Sequence, residues 1–438
     1  MTQYLSAMAM ESRSGRDAPG WQSASLLRPA LFVLTFLLAW VGVEPFTDLS
    51  DPSLVTISTA GNPLNQVAYL AIAASVFAAA ALLDSRIFRL YMQPILILAL
   101  VWVAVSALLS VDPSLAGRRV LYAVLVVSMA SVVLILPRSM RELADMLAGL
   151  ALLIIFLCFA GVALAPRLSI HQASDVVEPL LAGDWRGIFA HKNAAAAMMV
   201  VFVFIGLYVA RVRSRLLGWF VAIAAGVFLV ATHGKAASML LPLVLVLSWL
   251  VLRLKSNYLR AVVVVSGLVL LNVATVGSAY SESVRKTAGL VLPDVTYTGR
   301  TEIWRLAIDH VAERPLFGYG LGAFWGTSRV IYSAETQTEQ DATRASHGHN
   351  GYIDLALAAG LPGLLFGVFW VVLTPLAGLK QALEQNRPLA AFFVQIWLFG
   401  LYLSCLESVL FDRGNPIWFS MLIAVFGLRL MAMCRFKP

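Results

Sequence analysis

The stretch RASHGHNGYIDLALAAGLPG, residues 344–363, sets an arginine, two histidines and an asparagine directly ahead of a long apolar run. What those titratable groups can do depends on whether the run crosses a bilayer and on which side its polar threshold lies. The rest of the chain answers the first question. Of its 438 residues 60% are hydrophobic and only 13% charged, against roughly a quarter charged in soluble domains. Apolar runs of about 20 residues, each enough to cross a hydrocarbon core ~30 Å thick as a helix, recur along it. The sequence therefore specifies an all-α polytopic membrane protein.

Twelve spans are expected, near residues 29–46, 64–83, 91–111, 117–136, 143–165, 192–211, 216–232, 236–253, 259–278, 349–378, 389–410 and 415–434. They divide the chain into a cytoplasmic tail (1–28), nine helices (29–278), a large hydrophilic loop (279–348), three further helices (349–434) and a short cytoplasmic C-terminus (435–438). In the tenth span GLPGLLFG puts Pro362 among glycines, so this helix is expected to tilt or break. The tail Met1 to Gln22 lacks the apolar core and cleavage site of a signal peptide.

Orientation follows from the connections. With the N-terminus inside, Arg86, Arg89, Arg138, Arg141, Arg211, Arg213, Arg215, Arg253, Lys255, Arg260, Lys380, Arg387, Arg435 and Lys437 all fall on the cytoplasmic side, as the positive-inside rule requires. The 279–348 loop and the 344–363 threshold then face outward, which in a Gram-negative cell is the periplasm. The polar run SAETQTEQDATRAS (333–346) reads as a mobile loop tip. The formal charge of +8 comes without any alternation of bases and aromatics, so nucleic acid is not a partner. Cys158, Cys405 and Cys434 show no paired spacing, which implies neither a disulfide framework nor a zinc site.

Some cations defy the topological bias. Arg118, Arg119, Arg167, Arg186, Lys192, Lys235 and Arg413 lie in short outer connections, several within a residue or two of a membrane boundary. Any one of them can be a snorkelling anchor. As a set they suggest an anion held at the outer surface, a task suited to the bidentate guanidinium. In GDWRGIFAHKNAAAAMM (183–199), Arg186, His191, Lys192 and Asn193 precede a span, with Asn193 expected as the helix N-cap. In ATHGKAASMLL (231–241) a hairpin reverses through His233 and Gly234, leaving Lys235 at the next helix start. In YTGRTEIWRLAIDHVAERPLFGYGLGAFW (297–325), Ile303, Trp304, Ala307, Ile308 and Val311 make an apolar stripe along a helix from Thr301 to Arg314, bordered by Arg300, Glu302 and Arg305. That stripe suits the membrane surface or the bundle. Pro315 is expected to end the helix and GYGLG to form a flexible turn. Its glycines follow no strand, so they are not a dinucleotide fingerprint.

His347 and His349 admit three readings. As metal ligands they need further partners, and Asp341 and Asp354 form no recognisable pattern with them. Alternatively, Ser346 or Asn350 caps the helix and the histidines are solvated. The sharper reading is general base catalysis, since an imidazole near pKa 6.5 can take a proton from a sugar hydroxyl.

Four ordered segments, WRGIFAHKNAAAA, THGKAASML, GRTEIWRLAIDHVAERPLFGYGLGAFW and SHGHNGYIDLALAAGLPG, resemble the O-antigen ligase and polymerase superfamily, and most closely its ExoQ-type exopolysaccharide polymerases. The resemblance spans about residues 180 to 375; the first 180 agree in topology only. It implies a metal-independent, cofactor-free glycosyltransferase of the membrane-embedded GT-C kind, using an undecaprenyl-diphosphate-linked glycan at the periplasmic face of the inner membrane. Arg186, Arg300 and His349 match family essentials. Lys235 stands where many relatives have arginine, which keeps the charge but loses the bidentate fork. Arg186 and Arg300 would hold the diphosphate, assisted by Lys235 and by Arg118 or Arg119. His349 would deprotonate or orient the acceptor, with Asn350, His191, Asn193 and Arg305 in support. Attack opposite the leaving group implies inversion at the anomeric carbon. A chain-length regulator and a flippase are implied as partners, besides membrane lipids.

A polymerase and a ligase share this chemistry and differ in acceptor: the next lipid-linked repeat, or lipid A-core. A transporter of the same lipid-linked sugar would instead need ionisable groups near the bilayer midplane. Here they crowd the outer boundary, with Glu407 near an outer end beside Asp412 and Arg413.

Overall fold

The computed structural model describes residues 22–52, 62–176, 178–289, 299–331, 342–343, 345–412 and 414–433. The N-terminal tail to residue 21, most of the 333–346 tip with Arg344, Arg413 and the chain after 433 lie outside the described residues.

The apolar runs are helices: α1 (Gln22–Trp40), α2 (Pro63–Asp84), α3 (Pro94–Leu108), α4 (Pro113–Val132), α5 (Met140–Leu164), α6 (Lys192–Val212), α7 (Arg215–Ala231), α8 (Lys235–Arg253), α9 (Asn257–Thr275), the loop helix α10 (Arg300–Glu313), α11 (Gly351–Val368), α12 (Thr374–Gln385), α13 (Arg387–Leu403) and α14 (Pro416–Met433). Among the described residues the sole β feature is an isolated bridge between Ile170 and Trp185. Among the described residues eight helices are long and apolar enough to cross a membrane, one of them the Gly351–Gln385 segment, and four shorter apolar helices accompany them. The chain is a multi-pass helical membrane protein.

Start signals recur. Proline stands in the first turn of α2, α3, α4 and α13, where its missing N–H is no loss. Asn62, Asp112, Ser139, Ser214 and Asn386 cap helices through side-chain oxygens. Helix α6 is buried along nearly its whole length and forms the bundle centre. It meets α7 through two small-xxx-small pairs, Gly206/Ala210 and Gly218/Ala222. A Cβ on Gly218 would stand 2.2 Å from the Ala210 nitrogen, so the two backbones are in direct contact.

The connections sort to two ends. At one, Arg28 donates to the carbonyls of Ile135 and Leu136, Arg213 pairs with Asp145, and Arg387 reaches the Leu252 carbonyl. At the other lie the 41–52, 165–191, 232–234, 314–327, 345–350 and 404–415 segments, tied together by the bonds described next.

Helix α11 is broken, as Pro362 predicts. Gly360 has φ 68° and ψ −177°, a region open only to glycine, and Pro362 has no N–H for the Ala358 carbonyl. The freed carbonyls are satisfied from outside the helix. Tyr319 N donates to Leu357 O (2.7 Å), Gly320 N to Ala358 O (2.9 Å) and Trp102 Nε1 to Ala359 O (2.9 Å), while Leu361 N donates to Pro315 O (2.7 Å). The GYGLG segment is thus a packed turn and not a flexible one. A Cβ at Gly318 would fall 2.3 Å from Leu357 O, and one at Gly360 2.1 Å from Leu316 O. A π-helical turn at Phe369–Leu373 then carries the span into α12.

The stripe of α10 packs on this assembly. Trp304 and Ala307 are buried with Tyr319, Phe324, Ile353 and Leu357, and Ile308 and Val311 lie against them. The helix runs Arg300–Glu313, one residue ahead of the expected range. A second difference concerns α13, which stops at Leu403, short of the expected 410. Apolar residues continue to Phe411, but Gly351 N and Asn350 Nδ2 draw the Ser404 and Cys405 carbonyls out of the helical ladder. Glu407 therefore sits in a turn beyond the helix end.

Candidate active site

At this second end the polar side chains join in one network centred on Glu407. Its Oε1 accepts from Arg300 Nη2 (2.9 Å) and Asn193 Nδ2 (3.1 Å), and its Oε2 lies 3.3 Å from His349 Nδ1. Four sequence-distant elements are brought together: the start of α6, the start of α10, the 347–350 loop and the turn after α13. Arg300 also donates to the Leu406 carbonyl, and Trp304 Nε1 donates to Gly348 O (3.0 Å). Asn350 is fully buried. It caps α11 by accepting from Tyr352 N and Ile353 N and donates to Asn272 Oδ1 and Cys405 O. His349 has φ 47°, in the left-handed region, so this anchoring holds it in a strained conformation.

Burial works to raise the Glu407 carboxyl, but the His349 hydrogen bond and the charges of Arg300 and His349 outweigh it and hold the pKa at about 2. Glu407 is thus an anion at neutral pH. When the imidazole is neutral, an anion facing Nδ1 favours the tautomer that carries its proton there and leaves the lone pair on Nε2. No hydrogen bond engages Nε2 among the described residues, and the side chain is 25% exposed. The His347 ring packs 4.1 Å from that of His349. Burial and the neighbouring His349 push its pKa down to about 4, so His347 is neutral.

The network continues beneath. His191 Nδ1 accepts from Asn193 N (3.0 Å), which leaves its Nε2–H for Glu178 (2.5 Å). The cap of α6 is therefore His191, while Asn193, expected there, is the second residue of the helix with its amide turned to Glu407. His171 pairs with Asp175 (3.1 Å) and accepts from Lys192 N, and its ring lies 5.4 Å from His191. Asp184 joins Lys192 and His233. Five of the six histidines thus share one end of the bundle. Among the described residues no group of three or more His, Cys, Asp and Glu side chains is arranged to hold a metal ion.

The remaining expected residues separate. Arg186 is fully buried. Its Nη1 donates to Phe189 O (3.0 Å) and its Nη2 to Thr47 O (2.7 Å), which ties loops together, while its buried Nε has no hydrogen-bond partner among the described residues. Arg305 donates to Ala279 O and pairs with Glu302, outside the Glu407 cluster. Lys235 is exposed at the first position of α8, and Arg118 is exposed on α4. Arg119 lines a cavity of about 260 Å³ beside His347. Glu407, His171, Asp175 and Glu178 were not singled out as site residues. The signal available was topological, since His171, Asp175 and Glu178 lie in a connection assigned to one face and Glu407 near the same-side end of the 389–410 span.

The fold and site define a multi-pass helical membrane protein with a buried carboxylate orienting an accessible imidazole at one end. Residues 198–368 match the Wzy_C family, described as O-Antigen ligase. Over 118 residues the chain is 32% identical to the exopolysaccharide production protein ExoQ of Rhizobium meliloti (strain 1021), a stretch covering 26% of this chain and 27% of that protein. The chain thus matches about a quarter of the length of that relative. Both matches are likenesses to the O-antigen ligase superfamily over part of the chain.

Proposed function

We propose that the protein is an inverting, metal-independent glycosyltransferase of the inner membrane. It would polymerise undecaprenyl-diphosphate-linked repeat units into exopolysaccharide at the periplasmic face, its twelve apolar helices all serving as spans. The observation that carries this reading is the Glu407–His349–Arg300 cluster, which sets a base and a cation on one carboxylate. His349 Nε2 takes the proton of an acceptor hydroxyl as its oxygen bonds the anomeric carbon. The bond from that carbon to the diphosphate breaks with its electron pair on the leaving oxygen. Arg300, whose Nε has no partner among the described residues, and Lys235 oppose the growing negative charge. Glu407 stabilises the imidazolium, as the carboxylate of a hydrolase triad does.

The ExoQ match favours the polymerase; the family description favours a ligase that hands the glycan to lipid A-core. Purified protein in liposomes with a lipid-linked repeat unit alone decides between them. A ladder of longer glycans with released undecaprenyl diphosphate is expected. Consumption only after lipid A-core is added makes it a ligase. Transbilayer movement without chemistry overturns the transferase reading.

A further inference from the structure

The cavity of about 260 Å³ beside His347 takes no part in the proton transfer or the diphosphate contacts above. Its walls come from α4 (Arg119), the turn after α10 (Gly322, Trp325), the 346–347 loop, α11 (Asp354) and the turn after α13 (Ser408). It lies against the site, since the His347 ring on its wall is 4.1 Å from that of His349. A single water needs roughly 10–15 Å³ of such space, and drug-sized ligands occupy about 300 Å³ or more. The cavity therefore suits one ring with its substituents.

Its chemistry selects among ring types. Asp354 is a built acceptor: Trp325 Nε1 donates to it (2.8 Å), Gly348 N donates (3.1 Å) and Ser408 Oγ donates. Asp412 stands on the same wall. Two carboxyl groups oppose an anion such as a diphosphate but accept from hydroxyl groups. Arg119 offers donors for hydroxyl or ring oxygens, and Phe324, Trp325 and Leu355 offer apolar surface to the C–H face of a ring. Gly322 makes room for the arginine. It has φ 65°, and a Cβ there would lie 1.8 Å from Arg119 Nη1. We propose that this cavity binds an uncharged pyranose of the acceptor glycan and, resting on the transferase reading, presents its hydroxyl to His349. Arg119 then serves sugar recognition instead of the diphosphate.

The test uses the full chain in lipid nanodiscs with saturation-transfer NMR, methyl glycosides of glucose, galactose and mannose as probes, and pyrophosphate as the anionic probe. Turnover of lipid-linked repeat is measured in parallel. Ser346→Trp fills the exposed rim, where folding is insensitive, and Gly322→Ala displaces Arg119. The expected result is that at least one glycoside binds and that either substitution weakens it tenfold or more, with pyrophosphate binding unchanged. Glycoside signals that survive both substitutions overturn the proposal. So does the absence of any glycoside signal from protein that binds pyrophosphate, and so does displacement of the glycoside by pyrophosphate that depends on Arg119. Glycoside binding in a wild-type chain without turnover leaves the subsite standing and removes the transferase.

Discussion

Glu407 and His349, 58 residues apart in the chain, meet with Oε2 3.3 Å from Nδ1, and the same carboxylate holds Arg300 through its other oxygen. One anion thus sets both the tautomer of the base and the position of the cation. Replacing His349 by Ala should reduce turnover by about 10²–10⁴, the range for a positioned general base. Glu407→Gln should reduce it comparably. The double variant should be little worse than either single one, because the two act as a unit. Additive losses in a liposome polymerisation assay would sink the dyad.

The pH dependence of stability has a definite sign. Glu407 is depressed from 4.5 to about 2, so its contribution is present above pH 4.5 and is lost as pH falls towards 2. His347 is depressed from 6.5 to about 4; its unfolded form takes up a proton first, which destabilises the fold as pH falls from 6.5 towards 4. The thermal midpoint in detergent should therefore fall continuously from pH 7 downward. His347→Gln should flatten the upper part of that decline and Glu407→Gln the lower part.

Arg186 and Arg300 should give opposite phenotypes. Arg186→Gln leaves the buried Phe189 carbonyl without its donor, at about 1–3 kcal/mol, frees the part-buried Thr47 carbonyl as well, and should lower the thermal midpoint. Arg300→Lys keeps the charge but loses the fork to Glu407 and Leu406. It should cut turnover tenfold or more while the midpoint changes little. Melting curves and initial rates on the same preparations separate the two.

Gly360→Ala places a methyl 2.1 Å from the Leu316 carbonyl oxygen at a backbone angle that L-residues rarely adopt. The expected loss exceeds ~3 kcal/mol. Pro362→Ala should be mild, because Gly360 and the external donors still hold the break. Equal losses for the two would show that proline, and not the packed turn, sets the kink.

Much of the architecture was readable. Hydropathy located every long helix, and Pro362 marked the broken one, because lipid imposes a length and a backbone rule that a sequence displays openly. The cap of α6 was misplaced by two residues because the His191 imidazole accepts the Asn193 N–H and so starts the helix earlier, a role that histidine rarely takes at an N-cap. The end of α13 was overrun because the deciding bonds come from Asn350 and Gly351, far away in sequence. For the same reason the partners of His349 were illegible: a lone glutamate in an apolar stretch gives no sign of what it faces. Arg186 shows the same limit, since its full burial and its bonds to the Phe189 and Thr47 carbonyls depend on loops that its own motif does not reveal.

The bonds from Tyr319 and Gly320 to Leu357 and Ala358 also have a mechanical meaning. The first half of α11 carries His349 just ahead of its start, and the turn after α10 is stitched to it at the break, partway along the helix. The two form a single lever with its fulcrum at Gly360. If the protein is the proposed transferase, any motion of that turn that admits a lipid-linked chain would swing the half-helix as well. Capture of the substrate and alignment of the base are then one movement, and slow amide exchange at Tyr319 and Gly320 would be its signature.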